Sequence, residues 1–194
     1  MTRIPKDELE IYFEYGVDIK NRRIFLTSDI DSESIGAVLK ALYMLDSQNK
    51  DHDIIELFIG SYGGEEYDMF ALHDVTRTLE SPISTFALGK CMSAAPLLVA
   101  CGEKGKRCAT ENTFFMVHQS WTDIDAKRID AIGIDISHYK DMASRWYKLM
   151  ERYTKKPLEF WQRKCEEVGD FYFSSQEALE WGIIDFIWDE KDGE

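Results

Sequence analysis

The sequence predicts an α/β protein with a largely parallel sheet, and three observations lead to that class. Short apolar segments of strand length alternate with longer segments whose apolar residues recur at three-four spacing, the period of a buried helix face. The 194 residues include only 4 prolines and 12 glycines, and most of these glycines lie where one segment gives way to the next. No internal repeat or linker divides the chain, which predicts one domain over residues 1–194.

The first part of the chain predicts strands and helices in alternation. The predicted strands cover residues 23–27, 54–59, 83–88, 106–110 and 114–117. Asp31 caps the first helix, since a carboxylate before an apolar three-four pattern is a typical N-cap. The second helix carries Glu65 and Glu66 in its first turn, where the helix dipole favours acids. A short apolar helix is predicted over about 93–101, with Gly89 beginning the turn that leads into it.

The remainder of the chain is predicted to be more helical. One long helix covers about 130–153, and Pro157 opens the next. Ser174 and Glu177 form a capping box for a short helix that ends at Gly182, before a strand at 183–188. Within the predicted domain we distinguish an N-terminal segment (1–22), a handle region (119–153) and a polar tail (189–194). The acidic and aromatic residues before Asn21 and the tail are both expected to be loosely held.

Charge and composition exclude several classes of protein. The 36 acidic and 23 basic residues give a net charge of −13, which disfavours binding to nucleic acids or to an anionic membrane surface. The longest apolar stretch, residues 94–101, is far shorter than the roughly 20 residues of a membrane span. The start of the chain lacks the apolar core of a secretory signal, and the four cysteines form no metal-binding pattern. We therefore expect a cytoplasmic protein in which disulfides and a zinc site are both disfavoured.

Two glycine-bearing turns, at 60–64 and 89–96, each follow a predicted strand and open a helix. The first N–H groups of a helix have no internal partner, so they can donate to a negatively charged oxygen. Pro96 lacks an N–H and is tolerated only in the first turn of a helix, which places Ser93 at the helix start beside the N–H of Ala94. A hydroxyl nucleophile next to a free donor is what acyl transfer requires.

These turns also have structural interpretations that the residues alone leave open. A serine that opens a helix is commonly an N-cap, and paired glycines before a helix are ordinary in turns. The first turn lacks the dinucleotide fingerprint and the P-loop pattern, and the second lacks the Gly-x-Ser-x-Gly elbow.

A general base is the second requirement, and His118 is the candidate that its position favours. It ends the apolar strand at 114–117, and active sites of α/β proteins gather at strand ends. His52 lies in an acidic loop, whereas His73 and His138 lie within predicted helices. His118 also fits an ordinary hydrogen-bonded histidine at a strand end. Spacing alone does not choose an orienting carboxylate.

Five segments occur in the order and with nearly the spacing of a known family. They are Ile24-Phe-Leu-Thr27, Ser61-Tyr-Gly-Gly64, Gly89-Lys-Cys-Met-Ser93 with the following 101–107, Phe115-Met-Val-His-Gln119, and the stretch 170–185. Over about residues 23–188 the chain resembles the proteolytic subunit of the Clp protease, a serine peptidase with the crotonase-like fold. That fold has repeated strand–helix units, a mostly parallel sheet and a long helical handle.

The resemblance implies a role for each matching residue. Ser93 would be the nucleophile, His118 the general base, and Asp170 the carboxylate that orients the imidazole. Backbone N–H groups of Gly64 and Ala94 would form the oxyanion hole. The implied reaction is hydrolysis of polypeptide substrates through an acyl-enzyme, with no metal or nucleotide bound by this subunit.

The resemblance also implies an assembly, and departures from the family bear on it. Family members form heptameric rings, usually two stacked, whose chamber is fed by an ATP-driven unfoldase of the AAA+ class. Gly60 and Tyr62 differ from the family pattern, as does the stretch 120–128. Gly169 and Phe171 stand beside Asp170 where the family tends to carry arginines, so we expect a different joint between rings. The alternative functions are a catalytically weak or silent ring subunit that modulates an active partner, a ring-forming scaffold and a crotonase-type acyl-CoA enzyme.

Overall fold

The computed structural model describes residues 6–48, 53–119 and 129–188. The helices in these ranges are α1 (Lys6–Tyr15), α2 (Ser32–Gln48), α3 (Glu66–Thr76), α4 (Ala95–Ala100), α5 (Ile129–Tyr153), α6 (Leu158–Val168) and α7 (Ser175–Trp181). The strands are β1 (Val17–Asp18), β2 (Arg23–Leu26), β3 (Ile55–Ser61), β4 (Ile83–Met92), β5 (Arg107–Thr110), β6 (Phe114–Val117), β7 (Phe171–Ser174) and β8 (Phe186–Trp188). The predicted segments at 120–128 and 189–194 lie outside the described residues.

The strands form one mostly parallel sheet, as predicted. Its main order is β1-β2-β3-β4-β5-β8, with β6 beside β4 and β7 beside β6. All neighbouring strands run parallel except the β1–β2 and β6–β7 pairs. Because parallel strands need crossover connections, α2 and α3 link successive strands and bury their apolar faces against the sheet. The predicted α/β class and long helix are confirmed.

Strand β4 divides its pairing between two neighbours, and this division builds the site described below. Residues 85–87 pair with β5, whereas residues 90–92 pair with β6. Between them the register against β3 shifts, and Gly89 adopts a left-handed φ of +65°. Its N–H donates to Oγ1 of Thr113. The prediction that the chain turns at Gly89 is therefore wrong: the glycine accommodates a bulge, and the strand continues to Met92.

The chain before Asn21 is more ordered than its composition predicted. It forms α1 and β1, and the N–H of Phe25 donates to the carbonyl of Gly16 at 2.8 Å. The ring of Tyr12 packs edge-on against Phe25, and Ile11 is partly buried against the core. The expectation of a loosely held segment is wrong for the described residues 6–20, because apolar side chains of this segment pack against the sheet and the core.

A largely buried ion pair joins β5 to the segment that precedes the neighbouring strand β8. Arg107 on β5 donates through Nε and Nη2 to both carboxylate oxygens of Asp185, at 2.8 and 2.6 Å. Its Nη1 donates to the carbonyls of Ala100 and Tyr153. One guanidinium thereby connects β5, α4, α5 and the segment before β8, on the side of the sheet opposite the edge strand β1.

No helix in the described ranges combines the length and the apolar character needed to span a bilayer.

Candidate active site

Ser93 lies immediately after β4 in a left-handed conformation, with φ +57°. Such a φ is uncommon for a residue other than glycine. The Ser93 N–H donates to the carbonyl of Met116 at 2.8 Å. A Cβ on Gly63 would lie 2.6 Å from Cβ of Ser93 and 2.7 Å from the carbonyl oxygen of Met92. Only glycine at position 63 lets the two turns approach this closely.

Helix α4 begins two residues after Ser93, which corrects the predicted helix start. Its N-cap residue is Ala94, and no side chain caps it. Pro96 occupies the first turn, as predicted. The interpretation of Ser93 as an N-cap is therefore wrong, and its hydroxyl makes its contact elsewhere.

That contact is with His118, and the strand register explains it. Parallel β4 and β6 have Met92 opposite Met116, so the residues that follow each strand meet at the same edge of the sheet. Nε2 of His118 lies 2.8 Å from Oγ of Ser93. With the ring proton on Nδ1, the serine hydroxyl donates to Nε2. The side chain of His118 is 18% exposed, which leaves it accessible from the cavity.

Asp170 reaches the same place from the other side of His118. It precedes β7, whose Phe171 lies opposite Val117 on antiparallel β6. Oδ1 of Asp170 lies 3.7 Å from Nδ1 of His118, and the aspartate side chain is 59% exposed. This separation is an ion-pair distance and exceeds that of a hydrogen bond. The structure thus brings together all three side chains, two of them in hydrogen-bond contact.

Gly64 is fixed by a bridge to the segment before α2. The N–H of Ile30 donates to the carbonyl of Gly63, and the N–H of Glu65 donates to the carbonyl of Ile30. These two hydrogen bonds use the carbonyl of Gly63 and the N–H of Glu65. The N–H of Gly64 itself takes no part in them. A Cβ at Gly64, whose φ is +146°, would lie 2.1 Å from the carbonyl oxygen of Ile30. The close approach of the two chains therefore requires glycine.

The N–H groups of Gly64 and Ala94 are both free donors within the described part of the chain, where no residue accepts a hydrogen bond from either. Ala94 precedes the first turn of α4, whose N–H groups have no partner inside the helix. Both residues line the cavity that also contains Ser93 and His118.

That cavity has a volume of about 560 Å³. Its walls come from α3, from the middle of α5 and from the turns at Gly64 and Ser93. Sequence reasoning did not assign any α5 residue to the site. The spacing of apolar residues in α5 predicts that one face of the helix is buried. It does not predict that this face lies next to Ser93.

A second contact missed from the sequence involves Tyr62 and Lys90. Nζ of Lys90 lies 3.7 Å from the centre of the Tyr62 ring, a cation–π distance. The pair connects the turn at Gly64 to the end of β4. Both positions lie in the turns singled out from the sequence, yet a cation–π contact between them leaves no sequence signature.

Thiol chemistry is disfavoured beside Ser93. Cys91 is fully buried, and burial raises the pKa of its thiol well above the usual range. A neutral thiol is a poor nucleophile. All four cysteines are free and buried. Among the described residues, no group of three or more His, Cys, Asp or Glu side chains is arranged to hold a metal ion.

A parallel α/β sheet with a serine–histidine contact at its strand ends, beside two free backbone donors, is an arrangement typical of serine hydrolases. Comparison with known proteins identifies the family. The model of the Clp protease family matches residues 6–191, and the chain belongs to this family.

A named relative agrees with that assignment. The chain is 30% identical over 179 residues to the ATP-dependent Clp protease proteolytic subunit of Deinococcus radiodurans. The alignment covers 92% of this chain and 86% of the relative. Family membership and this relative together indicate a Clp-type peptidase.

Proposed function

We propose that the protein is a serine endopeptidase that hydrolyses peptide bonds of unfolded polypeptides through an acyl-enzyme. The observation that carries the proposal is the 2.8 Å distance between Oγ of Ser93 and Nε2 of His118. It is supported by the two free N–H donors beside them and by membership of a peptidase family. A crotonase-type acyl-CoA enzyme would use the paired donors without needing this contact.

In the proposed acylation, Oγ of Ser93 attacks the carbonyl carbon of the scissile bond as its proton passes to Nε2 of His118. The N–H groups of Gly64 and Ala94 donate to the oxygen that becomes negative. Collapse of the tetrahedral intermediate breaks the C–N bond, and His118 returns the proton to the leaving amine. Deacylation repeats these steps with water as the nucleophile and releases the new carboxyl end.

Asp170 is proposed to orient the imidazole and to stabilise its charged form. The present 3.7 Å separation requires the exposed carboxylate to move by less than 1 Å to reach hydrogen-bond distance. Catalytic hydrogen bonds are often long without substrate and shorten when it binds.

We also propose that the chain works as a ring-shaped homo-oligomer, in one or two rings of seven, in the cytoplasm with an ATP-driven unfoldase. The Deinococcus relative is itself named as a subunit of an ATP-dependent protease. Large apolar side chains remain exposed in several places among the described residues, which favours burial against other copies or a partner. They include Phe114 on β6, Tyr172 on β7, Trp188 on β8, and Ile134 and Ile136 on α5.

A fluorophosphonate probe tests the chemistry, with Ser93→Ala compared against Ser47→Ala, a substitution of an exposed serine on α2. We expect one covalent adduct on the wild-type chain and on Ser47→Ala, and none on Ser93→Ala. Peptide cleavage by Ser93→Ala should fall by roughly 10³-fold or more. Unchanged cleavage by this variant would refute the proposed nucleophile.

Native mass spectrometry tests the assembly separately. The proposal predicts a complex of seven or fourteen chains. A strict monomer at micromolar concentration would contradict the ring.

A further inference from the structure

Asp170 is the least firmly held of the three side chains that meet at the candidate active site. Its carboxylate is 59% exposed, lies 3.7 Å from Nδ1 of His118 and accepts no hydrogen bond from any described residue. The preceding Gly169 is exposed and has a left-handed φ of +80°, so the chain that enters Asp170 restrains it little. The restraint on Asp170 therefore comes from the residue that follows it.

That residue is Phe171, the first residue of β7. Its backbone lies opposite Val117 on β6, directly before His118. Strand β7 has four residues and, within the described part of the chain, pairs with β6 alone. The ends of short segments with few buried contacts open most easily. How firmly the start of β7 is held thus depends on the side chain of Phe171.

The Phe171 ring makes two contacts with neighbouring helices. Nζ of Lys164 on α6 lies 3.8 Å from the centre of the ring, a close cation–π distance. The ring also stacks on the indole of Trp181 on α7, with centroids 5.9 Å apart and planes 20° apart. Lys164 precedes the α6–β7 turn and Phe171 follows it, so their contact closes the turn that contains Asp170.

Helix α6 is anchored in the core close to Lys164. Trp161, one turn earlier on α6, is fully buried and packs edge-on against Trp146 of α5. Its Nε1 donates to Oγ1 of Thr154 at 3.2 Å. Because the core holds α6 here, a side chain on the next turn of the helix can hold the start of β7 in place.

We propose that Lys164 is a positioning residue that keeps Asp170 within reach of His118 through the ring of Phe171. The inference rests on the proposed peptidase function, because it concerns the orientation of the imidazole in that reaction. A neutral side chain of similar length at position 164 loses the attraction to the ring, so the start of β7 and the exposed carboxylate move more freely. An arginine preserves the attraction, since a guanidinium also binds an aromatic face.

The test measures how fast a small alkyl fluorophosphonate labels Ser93 in the purified full chain, followed by intact mass. The variants are Lys164→Met, Lys164→Arg and Phe171→Leu in the wild-type chain, and Lys164→Met in the Asp170→Asn chain. Lys40→Met removes an exposed lysine of α2 and is the matched control.

We expect Lys164→Met and Phe171→Leu each to slow labelling of the wild-type chain by about threefold or more. Lys164→Arg and Lys40→Met should stay within about twofold of the wild-type rate. In the Asp170→Asn chain, which has no carboxylate to hold at this position, Lys164→Met should change the rate by less than about twofold. General damage to the fold would slow both chains equally, so this dependence on Asp170 distinguishes positioning from instability.

The remaining outcomes overturn the inference in distinguishable ways. Labelling of Lys164→Met at the wild-type rate refutes it and leaves the serine hydrolase intact. A slowing that Lys164→Arg shares, or that persists undiminished in Asp170→Asn, assigns the effect to general packing and also refutes it. A slowing by Lys164→Met with none by Phe171→Leu refutes the role of the ring. Failure of the fluorophosphonate to react with Ser93 in the wild-type chain refutes the proposed function, and the inference with it.

Discussion

The N–H of Ser93 donates a 2.8 Å hydrogen bond to the carbonyl of Met116. This bond continues the β4–β6 pairing beyond the end of β4. The position of Ser93 is therefore fixed by backbone hydrogen bonding, which constrains a residue more than a side-chain contact does. The strained φ of +57° is then maintained by the sheet on one side and by Gly63 on the other. Ser93 and His118 are thus held by the same pair of strands.

Replacing His118 with glutamine should abolish most of the activity and leave the fold intact. Glutamine is similar in size but cannot accept and return a proton at the position of Nε2. We expect kcat for a fluorogenic peptide to fall by about 10³-fold or more, with a parallel loss of fluorophosphonate labelling. The thermal unfolding midpoint serves as the control, because a loss of activity that follows unfolding would not support a role in proton transfer.

Asp170→Asn tests the more distant member of the group. The asparagine keeps the shape of the side chain and removes the charge that would stabilise a protonated imidazole, so kcat should fall by about 10²-fold or more. Glu167→Gln is a matched control, since it removes an exposed carboxylate only three residues away. Equal rates for Asp170→Asn and Glu167→Gln would exclude Asp170 from the mechanism.

Gly63→Ala should displace Ser93 without removing any proposed catalytic group. The new Cβ would meet Ser93 and Met92 at less than 3 Å, at a position whose φ is +99°. We expect a loss of about 1–3 kcal/mol in the free energy of unfolding and a fall in kcat. Gly36→Ala in α2, where no atom lies within 4 Å of the added carbon, should instead stabilise the chain by about 0.5–1 kcal/mol. Urea unfolding of both variants measures these two changes in the free energy of unfolding. A loss for Gly63→Ala together with a gain for Gly36→Ala would show that close packing at position 63 requires glycine.

Local signals in the sequence predicted the elements that local chemistry controls. The Ser174–Glu177 capping box and the left-handed Gly182 that ends α7 are both present. Asp31 accepts the N–H of Ser34 at 2.7 Å, as the predicted cap of α2. Each of these depends on residues no more than a few positions apart, so the sequence pattern contains the whole interaction.

Features that depend on register or on distant contacts were not predictable in this way. The extension of β4 past Gly89 depends on pairing with β6, which the residues of β4 do not specify. Tyr147 belongs to a helical stripe that reads as ordinary core, and its place beside Ser93 follows only from how α5 packs. The orienting carboxylate could be assigned to Asp170 only through the resemblance to the family. The chain contains so many carboxylates that spacing along the sequence does not single one out.

Asp185→Asn tests what the buried pair of Arg107 and Asp185 contributes to stability. Asp185→Asn leaves a guanidinium that is 5% exposed without its counter-charge, which should lower the free energy of unfolding by about 3–5 kcal/mol. Glu180→Gln removes the partner of Lys156 in a 4.0 Å pair whose glutamate is 70% exposed, and should change it by less than about 1 kcal/mol. Chemical unfolding at fixed protein concentration compares the two variants.

The same pair predicts a pH dependence. Burial alone would raise the pKa of Asp185, but the hydrogen bonds and charge of Arg107 outweigh it and hold the pKa below its ordinary value of 3.8. The stabilisation is therefore complete above pH 3.8 and is lost as the pH falls through the lowered value in the folded state. The difference in unfolding free energy between wild type and Asp185→Asn should be constant from pH 7 to about 5 and should shrink below about pH 4. A difference that stays constant down to pH 2 would show that the Asp185 charge is not what stabilises this part of the fold.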